Sequence, residues 1–427
     1  MRTRIFMLMV LALLLGLLVG ATACSSPSSS SSSKPAIDDD DDDDSSPDDD
    51  DNDTTDDDFT PDDDDDNDDD DNDDNDDNDD NDDNDTTDDD DDTSPAPDDD
   101  DDTAAPSWTT VWTHGNTEFY GVWGSDPTNV IVVGGSVDDN GFPKAGDNVW
   151  FFSNGAYNGN YWSSSDPVAY YGVWGTDASD NWAVGAQYTP GTGTSVDTAI
   201  ATPANGSYIT WPNTIVLYGI GGVFGDVFAV GYDRVNNVSA MWNYNGSSWS
   251  AMTNGSGQNP VLYSVWAADS TDVWAPGTTS GPTGRLLKWD GTSWGQKYHS
   301  TDAEDWYTVW GSSVSDVYFS GEWDNGGTWE PMIWHFDGTN YTHIEPATTG
   351  AFWGSWGSSP TNVFFVGGDG SGAAMIWIYD GSTTTAMTLP SGLSSTVLES
   401  VWGSSPSDVY AVGYDTTTYT GAVLHYN

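Results

Sequence analysis

The sequence predicts an all-β protein, a seven-bladed β-propeller closed by an N-terminal outer strand and preceded by a disordered acidic stalk. Three observations lead there. First, a stretch exemplified by Val401 to Gly413, Val-Trp-Gly-Ser-Ser-Pro-Ser-Asp-Val-Tyr-Ala-Val-Gly, recurs along the chain. Its tryptophan is Trp123, Trp174, Trp266, Trp310, Trp356 and Trp402, and a weaker copy, Leu217 to Gly231, places Gly221 at the same position. The period of about 46 residues is that of a four-stranded propeller blade. Second, β-branched and aromatic residues dominate the repeats, and helix-like periodicity is confined to the N-terminal apolar segment. Third, the last copy stops after its third strand, and a matching fourth strand stands ahead of the first copy.

Taken in order, residues 1–23 have the layout of a secretory signal: Arg2 and Arg4, the apolar run Ile5 to Gly20, then Ala-Thr-Ala before Cys24. Cys24 is the only cysteine, so an intramolecular disulfide is excluded. Its position resembles the lipobox of bacterial lipoproteins, where the sulfur receives diacylglycerol, although Ala21 stands where that motif usually has Leu, Val or Ile. The resemblance implies a lipidated Cys24 that anchors the chain in a membrane. Ser25 in place of Asp implies the outer membrane, with surface display. Residues 24–37 then form a Ser/Pro-rich linker.

Residues 38–102 are an Asp/Asn-rich run holding 43 of the 71 acidic residues of a chain whose formal net charge is -63. With Phe59 as its one aromatic and almost no aliphatics, the run buries nothing that offsets the entropy of ordering; it is expected to stay disordered and be extended by self-repulsion. Dense aspartate attracts divalent cations, but the run has no glycine to fold ligands around an ion. Diffuse calcium binding is therefore the most it is expected to do, with no dedicated cofactor or metal site. Beyond residue 102 the basic residues are Lys144, Arg234, Arg285, Lys288 and Lys297. A surface so short of positive charge repels phosphate backbones, which argues against nucleic acid as a partner.

The repeat domain spans 103–427. Each copy reads as a strand ending in Val-Trp-Gly, a tight turn, a strand like Asp408 to Gly413, a variable loop, and a hairpin. Leu286 to Trp294, Met241 to Trp249 and Met332 to Tyr341 show that hairpin, with Asp-Gly or Asn-Gly between apolar runs. The final copy ends at Gly421 to Asn427, and Ser107 to Val111 supplies the missing outer strand, removing an open sheet edge.

These repeats, over residues 107–427, resemble those of uncharacterised bacterial lipoproteins carrying Val-Trp-Gly and Asp-Val-Tyr-Ala-Val-Gly motifs, loosely grouped with BNR-type and WD40-like propellers. The resemblance implies the propeller and its closure by an N-terminal strand. It implies no activity, since propellers host enzymes, lectins and scaffolds alike. BNR-type sialidases grip a carboxylate with three arginines, and this domain has only Arg234 and Arg285.

Candidate sites were weighed by residue type. Asp or Asn six residues after the tryptophan (Asn129, Asp180, Asp272, Asp316, Asn362 and Asp408, with Asp226 in the weak copy) is read as turn chemistry, its side chain bonding nearby backbone, rather than as a metal ring. His114, His299, His335, His343 and His425 lack metal-ligand spacing. Glu304, Asp305, Glu322, Asp324 and Glu330, placed in loops, are the carboxylates a glycoside hydrolase would need. The loops Gly135 to Gly146, Ala186 to Asp197 and Glu322 to Glu330 mark the variable rim, where binding usually resides.

The candidate ligand-binding residues stand three before the tryptophan: Tyr120, Tyr171, Tyr218, Tyr263, Tyr307, Trp353 and Glu399. Strand alternation puts them on the face opposite the tryptophan, as a collar at the channel mouth suited to a sugar or a cationic group. The expected function is a monomeric, envelope-anchored, non-catalytic binding module for a carbohydrate or a protein. A passive coat protein is the alternative, and a glycoside hydrolase is third.

Overall fold

The structure, a computed structural model, describes residues 105–191, 194–202, 207–211, 215–279, 281, 283–300 and 303–427. The signal segment, Cys24 and the acidic stalk lie outside the described residues. Among the described residues there is no helix, and the strands form seven antiparallel sheets, six of four strands and one of five. The architecture is a β-propeller.

Each sheet runs outward from an inner strand that carries the Val-Trp-Gly motif or its variant (Ile220-Gly221-Gly222, Val265-Trp266-Ala267 or Ser355-Trp356-Gly357). In the first sheet these strands are Thr117–Asp126, Asn129–Ser136, Gly146–Ser153 and Ala156–Ser164. The inner strands of the others are Val168–Asp177, Ile215–Val223, Glu304–Ser313, Gly350–Ser359 and Thr396–Ser405. In the five-stranded sheet the inner strand is split into Val261–Leu262 and Trp266–Asp269. The ring closes as the sequence implies: Trp108–Gly115 pairs antiparallel with Thr420–Tyr426, with Trp108 opposite Tyr426 and Gly115 opposite Thr420. Trp108 is buried, edge-on to Phe364 at 6.3 Å, and Trp112 stacks on Tyr157 at 4.4 Å.

The hydrophobic core lies between sheets. Val122, Val130 and Trp150 of the first sheet pack with Tyr410, Val412 and Val423 of the last. The Val-Trp-Gly motif is one device of this packing. A Cβ on Gly124 would sit 2.6 Å from the Trp402 ring, and one on Gly403 2.6 Å from Trp356. The same clash, at 2.7 to 2.8 Å, would set Gly357 against Trp310, Gly311 against Trp266 and Gly175 against Trp123. Each of these five tryptophans therefore lies over the motif glycine of the next sheet. Where the weak copy has Gly221 instead of tryptophan, the following sheet carries Ala267 instead of glycine, as the absence of that contact permits.

The glycine within the second strand, five residues after the Asx position, does different work. A Cβ on Gly134, Gly185, Gly231, Gly277, Gly321, Gly367 or Gly413 would meet a backbone carbonyl of the inner strand at 1.8 to 2.2 Å. Those carbonyls belong to Glu118, Ala169, Val216, Val261, Asp305, Ala351 and Val397. Beside each glycine the inner strand makes an irregular pairing. Phe119 pairs with Gly134 and Gly121 with Val133, so Tyr120 is left without a cross-strand partner. Tyr171, Tyr218, Tyr307, Trp353 and Glu399 are skipped in the same way, and Tyr263 falls in the break of the split strand. Such bulges bend a strand and re-aim the side chain of the extra residue.

Two sequence readings are corrected here. Glu322 to Glu330 is not a loop: the strands Asp316–Asn325 and Thr328–Phe336 pair through Trp323 and Glu330 and turn at Gly326 and Gly327, both with positive φ. Ala186 to Asp197 is likewise largely a hairpin, paired as far as Tyr188 and Ser195. Strand pairing extends past the repeat motif in these copies because alternating polar and apolar residues continue to suit a two-stranded ribbon.

Candidate functional site

The seven collar positions come together around the axis. Tyr120, Tyr171, Tyr218, Tyr263, Tyr307, Trp353 and Glu399 all line one central cavity of about 210 Å³, with Gly, Val and Trp of the inner strands below them. Five rings form a continuous arc, their centroids 4.9 Å apart for Tyr120 and Tyr171, 5.4 Å for Tyr171 and Tyr218, 5.7 Å for Tyr218 and Tyr263, and 5.4 Å for Tyr263 and Tyr307. All seven are half-buried. The face reading is corrected in its cause. It is the bulge, and not simple alternation, that sets these side chains apart from the tryptophan.

Behind the collar stands a second set of polar groups, of which Asp305 and Glu322 are marked in the sequence only as loop carboxylates, while Glu118, Tyr188 and Tyr414, and the place of all five behind the collar, are not singled out there. The Tyr120 hydroxyl donates to Glu118, the Tyr307 hydroxyl donates to Glu322 Oε1 at 2.9 Å, and the Tyr171 hydroxyl is bonded to that of Tyr188. Asp305 is fully buried and pairs across the ladder with Glu322. Tyr414 approaches Tyr120 at 6.0 Å. Arg234 stands at the Tyr218 side of the ring, hydrogen-bonded to that tyrosine. A positional signal was present: Glu118 and Asp305 stand two residues before a collar residue, and Glu322 and Tyr414 directly follow a bulge glycine.

Burial governs the electrostatics of this layer. It raises the Glu399 carboxyl to about 8, with Glu118 adding to the effect, and Glu118 to about 7 against the lowering bond from Tyr120. Burial raises Glu322 as well, and its neighbour Asp305 pushes it further. Asp305 is itself raised by burial, although Thr278 and Tyr307 hold it down in part. The tyrosine hydroxyls of Tyr120, Tyr171, Tyr263 and Tyr307 are pushed well above their ordinary value by burial.

A stability consequence follows, with its sign. A carboxyl whose folded pKa is raised binds more protons folded than unfolded, so its contribution is present at low pH and is lost as pH rises through the window from about 4.5 to about 8. One pKa unit corresponds to about 1.4 kcal/mol, so these groups together cost on the order of 3 kcal/mol or more between pH 5 and pH 8.5. The exposed turn aspartate Asp290, held at about 2 chiefly by the Thr292 hydroxyl, acts oppositely and only at strongly acid pH. Thermal melts across pH are expected to show Tm highest near pH 5 and falling steadily to pH 8.5. In the Glu399→Gln variant that slope becomes shallower.

Other candidates are placed elsewhere. The carboxylates assigned to loops lie in strands: Glu304 and Asp305 in Glu304–Ser313, Glu322 and Asp324 in Asp316–Asn325, and Glu330 in Thr328–Phe336. Glu304 accepts from the Trp306 indole at 3.0 Å and Glu330 from Asn325 at 3.3 Å.

The Asx position six residues after the tryptophan also differs from expectation. Asp316 bonds His335 Nε2 at 2.7 Å and Asp408 bonds His425 Nε2 at 2.6 Å, while Asp272 pairs with Lys288 Nζ at 2.6 Å. Each base lies over an aromatic ring, His335 on Tyr318, His425 on Tyr410 and Lys288 on Trp274. Bonding to nearby backbone belongs instead to the residue three after the tryptophan, where Asp126, Asp177 and Asp269 accept from amides two residues on. Position six joins side chains because the third strand brings a base within its reach. Among the described residues no group of three or more His, Cys, Asp or Glu is arranged to hold a metal ion.

Among solved structures, the chain is similar to the WD40 propeller domain of Doa1, at 10% identity and a TM-score of 0.51, over 74% of this chain and 96% of that one. It is similar to YCF48 from Cyanidioschyzon merolae at 11% identity and a TM-score of 0.50, over 75% and 98%. A chain of the mitotic checkpoint complex matches at 11% identity and a TM-score of 0.52, over 75% and 91%. The likeness is one of fold. No family model and no curated protein matches the sequence.

Proposed function

We propose that this chain is an envelope-anchored lipoprotein of the outer membrane, displayed at the surface, whose propeller is a non-catalytic binding module. Its ligand, a carbohydrate or a group on a protein, is engaged at the collar. The observation that supports this most is the repeated bulge. Seven sheets give up a regular ladder position beside a glycine to turn one side chain toward a common cavity, and at six of those seven positions it is aromatic. A ring needed only for packing requires no interruption of the ladder.

Tyr263→Ala is expected to leave the fold intact, costing far less than the ~3 to 5 kcal/mol of a core aromatic, and to abolish capture of the ligand found by glycan array with the wild-type chain. Glu399→Gln is expected to weaken capture with little change in melting. A collapse of Tm in Tyr263→Ala would show that the rings are core. For the address, metabolic lipid labelling should mark the wild-type protein and not Cys24→Ala. Equal labelling of both, or full release of the wild type into the medium, would count against the anchor.

A further inference from the structure

We infer that the collar takes a cationic ammonium group, seated on the arc that runs from Tyr263 through Tyr307, Trp353 and Glu399 to Tyr120. This rests on the collar being the binding surface and names the chemistry it selects. On this arc the Tyr263 and Tyr307 rings lie 5.4 Å apart, and Trp353, Glu399 and Tyr120 line the same cavity. Aromatic faces attract a cation through the negative charge of the ring face, and do so more strongly where water is excluded. They are backed by carboxyl groups on both flanks of the arc, Asp305 and Glu322 behind Tyr263 and Tyr307, and Glu118 and Glu399 beside Tyr120.

A sugar would draw on hydrogen-bond partners spread around the ring, whereas four carboxyls gathered in two pairs favour a ligand of positive charge. The opposing charge is Arg234, which stands at Tyr218 and Tyr171 beside Tyr188, on the remaining side. Tyr414 adds a hydroxyl near Glu118 and Glu399. The ring is therefore divided into an acidic arc and a basic corner, and the acidic arc is the larger.

Burial, with Glu118 adding to it, raises the Glu399 carboxyl to about 8 and so favours its protonated form near neutral pH in the free protein, and burial raises Glu118 and Glu322 in the same direction against the bonds they accept from Tyr120 and Tyr307. A bound cation favours the ionised form, so binding is coupled to proton release. Affinity is expected to rise as pH increases from 6 to 9. The bound group is a quaternary or primary ammonium, from a choline-type headgroup or from a lysine side chain.

The test is calorimetric titration of the full chain with choline, with Nα-acetyl-lysine amide, and with 3,3-dimethylbutan-1-ol as the neutral isostere of choline. The probes are run at pH 6.5 and 8.5 in two buffers of different ionisation enthalpy. Saturable binding of one or both cations, tighter at pH 8.5, accompanied by proton release and absent for the neutral alcohol, is the expected result. Which cation binds more tightly separates the headgroup source from the lysine source. Glu399→Gln, which keeps the shape of the protonated acid and so the fold, should weaken binding about tenfold or more and reduce the pH dependence. Equal binding of the alcohol, heats that do not saturate, or cation binding unchanged in Glu399→Gln would overturn the assignment. If a Tyr263-dependent glycan binds while the cations do not, the collar remains a binding site and only its cationic selectivity falls.

Discussion

Gly321→Ala is expected to destabilise the propeller by more than about 3 kcal/mol, whereas Gly295→Ala, also within a strand, changes stability by less than about 0.5 kcal/mol. A Cβ at 321 would lie 1.9 Å from the Asp305 carbonyl oxygen, a backbone atom that side-chain motion cannot clear, while nothing stands within 4 Å of one at 295. To accept alanine at 321 the inner strand would have to withdraw from Gly321, and the Trp306 to Thr308 irregularity that sets Tyr307 apart would be lost. The substitution thus strains the ladder and misplaces a collar residue together. Chemical denaturation of the two variants beside the wild type reads this. Equal midpoints would show that the close approach yields easily and that the glycine is not what holds the bulge.

Removing residues 107–115 should have the larger effect. The deletion strips the outer strand from the last sheet, leaves the Thr420–Tyr426 edge unpaired, and takes away Trp108 and Trp112 with their contacts to Phe364, Tyr426 and Tyr157. Loss of one large core aromatic costs about 3 to 5 kcal/mol. Buried Trp108, with half-buried Trp112 and an open edge added, amounts to a substantial part of the stability of most domains. A chain beginning at 116 should therefore melt far below one beginning at 103, or fail to stay soluble. Chains beginning at 1 and at 103 should melt alike, because the composition of the Asp/Asn-rich run gives it nothing to bury. Indistinguishable melting at 103 and 116 would contradict the closure.

Much of this was legible because the repeat writes its physics at fixed positions. Period and alternation located the sheets and the closing strand, and the Val-Trp-Gly motif located the inner strands. What the pattern withheld was the reason for its glycines. One accepts the tryptophan of the preceding sheet, and the exchange of Gly221 and Ala267 in consecutive sheets is its trace in the sequence. The other makes room for a bulge, which no periodicity announces because the extra residue breaks the period itself.

The place of the acids behind the collar was hidden for a different reason. Glu118 and Asp305 occupy a position that other copies fill with Ala or Val, and Glu322 one that others fill with Gly, Ala, Thr or Tyr, so comparison between repeats ties none of them to the collar. The partners of the Asx position were hidden likewise: His335, His425 and Lys288 share a place on the third strand but not a residue type.

The central claim is that the bulges present the collar to solvent at the cavity. Hydroxyl-radical footprinting of the folded chain, read residue by residue, tests it most directly. Tyr263 and Trp353 should be labelled markedly faster than the fully buried Trp274 and Trp306, and a ligand that binds should protect the first pair and leave the second unchanged. Labelling of Tyr263 and Trp353 as slow as that of Trp306 would contradict the account, because the collar would then be core.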